Sequence, residues 1–264
     1  MSLLPARIPF LNRALLSRPS SRRVGRTARP SHIEVTHEGH SYRVVLKPSV
    51  KAKRLTLRVS AATRAVTLTL PQRSDERLVM DFAQRHSAWI AARMARLEDE
   101  IVIAPGALIP FRGTPHHIIH RANARGTVWI EEAQDGASVI VVAGRSDHAA
   151  RRVKDFLKKE ARRALDRAVE RYTDALGIPA RRIALKDTRS RWGSCSSDGR
   201  LNFSWRLIFA PSEILDYLAA HEVAHLKEHN HSARFWATVA VLYPDYKKAE
   251  AWLKRNGVSL HRYR

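Results

Sequence analysis

The chain has 264 residues, with 47 Lys and Arg against 25 Asp and Glu, a formal net charge of +22. That length can bury a sizeable core, and 44% hydrophobic with 27% charged residues excludes a chain disordered throughout. No run of 18 apolar residues exists to span a membrane as a helix. The single Cys195 excludes an internal disulfide framework and points to a reducing compartment, read here as the cytoplasm.

Residues 1–33 hold seven arginines and no acid, interleaved with Pro and Ser. Such a segment buries too little apolar area to offset its ordering entropy and reads as a disordered tail. An organelle transit peptide has the same composition and is the alternative. The remaining body still carries +15, so the charge points to nucleic acid or acidic surfaces as surroundings.

Between residues 41 and 70 the apolar positions recur every second residue: Leu55, Leu57 and Val59, then Val66, Leu68 and Leu70. The pattern predicts antiparallel strands joined around residues 61–64. Ser74 is the expected N-cap of a helix with Leu78, Phe82, Trp89, Ile90 and Leu97 near one face. Further strands are expected at 115–120, 127–131 and 138–142, punctuated by Gly113, Gly126 and Gly136. A long helix opens at Ser146-Asp147 and runs to about Leu176, stopped by Gly177 and Pro179. Short strands are expected at 182–186 and around Trp192 and Phe203, and the chain turns helical again after Pro211. The expected fold is α+β: a disordered tail (1–33), a small mixed or antiparallel sheet with a helix (34–145), and a mainly helical region with a short sheet (146–264).

The chemistry lies in His221-Glu222-Val223-Ala224-His225, inside a stretch (211–229) that reads as helix independently of the motif. Four residues along a helix cover about 400°, so both imidazoles leave the same side one turn apart. Together they can grip one cation, with Glu222 on the neighbouring edge able to reach a water activated by zinc and act as general base. A tetrahedral zinc then needs a third protein ligand. His231 is the first candidate, provided the helix ends near His229-Asn230, where Asn tolerates the left-handed conformation. Glu250, on a later helix, competes with it. Residues 211–231 carry a net −3 within a strongly basic chain, which favours a divalent cation.

The motif does not stand alone. Lys53-Arg54-Leu55, residues 109–113 (Ile-Pro-Phe-Arg-Gly), residues 190–196 (Ser-Arg-Trp-Gly-Ser-Cys-Ser), Leu201-Asn202, Asp216-Tyr217, residues 221–226, Asn230-His231-Ser232 and Phe235-Trp236 together resemble the YgjP-like metallopeptidases, relatives of the SprT-like and WLM zinc peptidases. The resemblance spans roughly residues 40–255. It implies a zincin-type catalytic domain, Zn2+ held by His221, His225 and His231, Glu222 as catalytic residue, and peptide or protein substrates. The zinc class that also places a third His six residues on carries Gly midway, where this chain has Glu228. That class needs a downstream methionine turn as well, and Met1, Met80 and Met94 all lie upstream.

Other features have blander readings. Residues 192–196 are expected to pack Trp192 and Cys195 beneath the active helix, and an edge strand there would suit an extended peptide. Cys195 has no partner spacing for a ligand. His116, His117 and His120 alternate along a strand and read as surface histidines. Residues 151–191 carry a net +8, either a solvated helix face or a phosphate-tracking surface giving weak nucleic-acid contact. His229, Tyr217 and Tyr246 are candidates for stabilising an oxyanion. The leading reading is a zinc-dependent peptidase. The alternatives are a metal-dependent nucleotide phosphoanhydride hydrolase on the same residues, or a nucleic-acid-associated protease or binding protein.

Overall fold

The computed structural model describes residues 30–133 and 136–264, so most of the expected tail lies outside the described residues. The chain divides into two compact units, one up to Glu98 and one from Asp99 onward. The boundary expected near residue 145 falls inside the second unit. There Ile109, Ile118, Ile140 and Val142 on one side of it, and Ala149, Val153 and Leu157 on the other, share one core.

The first unit opens with β1 (His32–His37), so the chain is already in a strand at residues 32 and 33, where an unstructured tail was expected. Ile33 and Val35 are buried there, which gives β1 the apolar face that a disordered segment lacks. Then follow β2 (His40–Ser49), β3 (Thr56–Val59) and β4 (Val66–Pro71), in the order β1-β2-β4-β3. The β3–β4 pair is antiparallel, as the period-two pattern predicts, while β2 and β4 run parallel. The single helix expected after Ser74 is two: α1 (Glu76–Arg85) and α2 (Ser87–Ala95), broken at His86. Its N-cap is Asp75, whose carboxylate accepts from the amides of Arg77 and Leu78. Val79, Ala83 and Ile90 face the core, which leaves Leu78 61% exposed instead of buried.

The second unit repeats that topology. Strands β5 (Leu108–Phe111), β6 (Thr114–Arg121), β7 (Val128–Glu132) and β8 (Ser138–Ala143) lie in the order β5-β6-β8-β7, again with an antiparallel pair on each side of a parallel centre. Val45 pairs with Thr67 in the first sheet and His117 with Val139 in the second, each member displaced by 72 positions. Both first hairpins turn on two residues of positive φ, Glu38-Gly39 and Arg112-Gly113, and both sheets lead into Arg-Ser-Asp (73–75 and 145–147) and a helix. Gly113 has a second reason to be glycine: a β-carbon there would sit 2.9 Å from Pro211 Cα.

After one turn of 3-10 helix comes α3 (Ala149–Leu176), capped by Gly177 at φ 71°. A three-stranded sheet follows, from β9 (Arg182–Lys186), β10 (Gly193–Cys195) and β11 (Arg200–Ser204), with β10 at one edge. A 3-10 stretch (Trp205–Phe209) leads to α4 (Ser212–Ala224), then α5 (Ala233–Leu242) and α6 (Tyr246–Asn256). The α+β class is as expected, with small mixed sheets beside the helices. Among the described residues no helix is long and apolar enough to cross a membrane.

Candidate metal centre

Helix α4 is buried almost all round, its Ile214, Leu215, Leu218, Ala219, Ala220, Val223 and Ala224 closing against neighbouring elements. Its start is held by Asp216, which accepts from the Tyr172 hydroxyl at 2.7 Å and pairs with Arg171 on α3. The helix ends sooner than the 211–229 stretch suggested: Ala224 is its last residue and His225 its C-cap. The chain then reverses without the left-handed Asn230 that was expected, since Glu38, Arg64 and Arg112 are the non-glycine residues of positive φ among those described. Asn230 instead accepts from the Ser232 amide through its side chain (3.1 Å), and the Ser232 hydroxyl caps α5.

That reversal brings His231 back over the helix. His221, His225 and His231 each present one ring nitrogen, all within 4.8 Å of one another, a geometry able to hold one metal ion. Nε2 of His221 and Nε2 of His231 are 3.2 Å apart. The outward nitrogens of the two helix residues have partners. His225 Nδ1 donates to the Glu228 carbonyl at 2.9 Å, and His221 Nδ1 lies 3.5 Å from the Tyr217 hydroxyl. With the proton on Nδ1, each ring turns a lone pair inward. Burial lowers all three histidine pKa values, taking His221 down to about 3, where the imidazoles of His225 and His231 add to the effect. The rings are therefore neutral, the form in which imidazole ligates.

Phe235 of α5 is fully buried under the cluster, stacked on His225 at 4.3 Å and edge-on to His221 and His231. Trp236 flanks His221 and His231, and Tyr246 stacks on Trp236 at 5.3 Å. Glu222 is 4% exposed, and its Oε2 is buried with no hydrogen-bond partner. Burial raises its pKa to about 8. Its carboxyl rests against Gly193 of β10, where a β-carbon would come within 2.7 Å of Glu222 Cδ and Cγ.

The remaining candidates fall elsewhere. Glu250 is paired with Lys254 at 3.1 Å on α6 and is outside the cluster. Tyr217, 2% exposed, stands behind His221, and His229 is exposed. Cys195 is half-buried, its thiol donating to the Ser196 carbonyl, and burial with Glu222 nearby pushes it up to about 11. Trp192 packs on His261 at 4.6 Å. His116 is not the surface histidine expected: it is 5% exposed, bonded to the Thr114 carbonyl and edge-on to Phe111. It occupies an inward position of β6, while His117 points out. Along α3, Arg151, Arg162, Arg163 and Arg171 are each ion-paired to an acid. Gly193 and Phe235 have roles that residue type alone did not suggest.

A buried helix carrying two imidazoles, a third returned by a short loop, and a buried carboxyl between helix and edge strand make a site able to hold a metal ion, and the family match makes the chain a metal-dependent peptidase. The chain belongs to the YgjP-like family: residues 53–256 match the description "YgjP-like, metallopeptidase domain". Among solved structures it is similar to the crystal structure of the metallopeptidase zymogen of Pyrococcus abyssi abylysin. That match has 24% identity and a TM-score of 0.31, and it covers 33% of this chain and 89% of that one. No curated protein matches the chain.

Proposed function

We propose that the protein is a zinc-dependent peptidase in which His221, His225 and His231 hold the metal and Glu222 moves the proton. The donor set fits. Three neutral imidazoles, with no fourth His, Cys, Asp or Glu grouped with them among the described residues, suit the open coordination of a catalytic site better than the closed one of a structural site. Zinc bound there would supply Lewis acidity, polarising a carbonyl and lowering the pKa of a water.

The observation that carries the reading is Glu222 Oε2, on the residue next to His221, buried and without a hydrogen-bond partner among the described residues. An orphaned buried carboxyl oxygen is costly to keep, which supports a role for it in taking a proton from a nucleophilic water and passing it to the departing amine. Its elevated pKa keeps that proton transfer close to balanced near neutral pH. β10, on the sheet edge beside Glu222, offers an extended substrate main-chain pairing.

The test is metal content by elemental analysis together with peptide hydrolysis. Glu222→Gln is expected to keep one metal per chain and lose at least 100-fold in kcat. His231→Ala is expected to lose both metal and activity. Full activity in Glu222→Gln would refute the assignment. Faster hydrolysis of a nucleoside triphosphate than of a peptide, lost in the same variant, would move the chemistry to phosphoanhydrides.

A further inference from the structure

A cleft of about 360 Å³ opens where α3, the Trp205–Phe209 turn and the start of α4 meet. Its floor is apolar, with Ala168, Leu207 and Leu215 nearly or fully buried. Three arginines line it: Arg112, Arg167 and Arg171. Arg112 comes from the positive-φ turn seated on Pro211, with its amide donating to the Ile208 carbonyl at 2.7 Å.

Charge accounting narrows the ligand. Arg112 is paired with Glu160 at 3.3 Å, and Arg171 with Asp216. Arg167 makes no hydrogen bond or ion pair among the described residues, so it is the unspent cation of the lining. A single guanidinium fork matches one planar carboxylate through two parallel N–H···O bonds. Glu213, at the first turn of α4 and also in the lining, has no partner among the described residues and repels a second negative charge. The volume and floor suit an apolar body of amino-acid size.

We propose that this cleft is a second binding site, distinct from the metal centre, for a monocarboxylate carried on an apolar body, with Arg167 as the residue that grips the carboxylate. The inference is independent of the metal-centre reading.

Isothermal titration calorimetry on the full chain tests it, with N-acetyl-L-leucine as the probe and N-acetyl-L-leucinamide and inorganic phosphate as comparison arms. The acid is expected to bind at least tenfold more tightly than the amide, and phosphate more weakly than the acid. Arg167→Ala is expected to lose at least tenfold in affinity for the acid. Arg167→Lys, which keeps the charge and loses the fork, should fall between. Arg167 is exposed, so neither variant disturbs the core. Absence of binding, equal binding of acid and amide, tighter binding of phosphate, or unchanged affinity in Arg167→Ala would each overturn the proposal.

Discussion

Gly193→Ala is a one-methyl perturbation aimed at a carboxyl it does not itself replace. The φ of Gly193 lies outside the left-handed region, so its backbone accepts alanine, and the smaller entropy of the unfolded chain would favour the variant by roughly 0.4–1 kcal/mol. Space opposes it. The new β-carbon would lie closest to Glu222 Oε1 and 2.7 Å from Cδ and Cγ, where ordinary contacts begin at 3.4 Å, so the carboxyl must retreat by at least about 0.7 Å, and its oxygen by more. Glu222 is 4% exposed and has no solvent to move into, so the overpacking costs about 1–3 kcal/mol and the net loss of stability is of order 1 kcal/mol.

The larger effect is on rate. A proton acceptor displaced by nearly 1 Å is expected to cost about 100-fold in kcat/KM. None of the three histidines is touched, so metal stoichiometry stays at wild type. Hydrolysis of a quenched fluorescent peptide, with elemental analysis of the same preparation, reads both. The double variant Gly193→Ala with Glu222→Gln should be little slower than Glu222→Gln alone, because both remove one function. A Gly193→Ala enzyme with full metal and wild-type rate would refute the assigned role of Glu222.

Tyr217→Phe removes the hydroxyl beside His221 Nδ1 and keeps the ring that packs the core; metal affinity, measured by chelator competition, is expected to fall about tenfold. Unchanged affinity would remove Tyr217 from the positioning of His221. In metal-free protein, Glu222 has a folded pKa near 8 against an ordinary 4.5, so the folded state holds a proton that the unfolded state has released. Stability from this group is therefore full below pH 4.5 and lost as pH rises through 8. Between pH 6.5 and 8 the loss is about 2 kcal/mol at about 1.4 kcal/mol per unit. Urea unfolding of metal-free wild type should show it and Glu222→Gln should not; parallel curves would show that the carboxyl is solvated.

The parts of the fold legible in sequence were those whose signal is local. The spacing of Val153, Leu157, Ala161 and Ala168 and the glycine stop defined α3, and the alternation of Leu57 and Val59 with Val66 and Leu68 defined a hairpin. The break at His86, the early end of α4 and the burial of His116 were not legible. Each depends on what packs against the segment, and sequence periodicity carries no record of that. The repeat left little in the sequence beyond Arg-Ser-Asp at 73–75 and 145–147: Val45-Thr67 and His117-Val139 share a register 72 positions apart, yet the paired residues are chemically unlike.

By itself the sequence determined the chemistry on offer: two imidazoles one helical turn apart with a carboxylate between them, a third histidine six residues on, and an acidic stretch in a basic chain. Helical geometry makes the first of these inevitable, since i and i+4 share a face. Only the tertiary structure decided the rest. A reversal without a left-handed residue returns His231, Phe235 rises beneath all three rings, and β10 presents a glycine where any β-carbon would displace Glu222. These are relations between segments far apart along the chain, and close packing, which leaves no room for a single added methyl group, is what sets them.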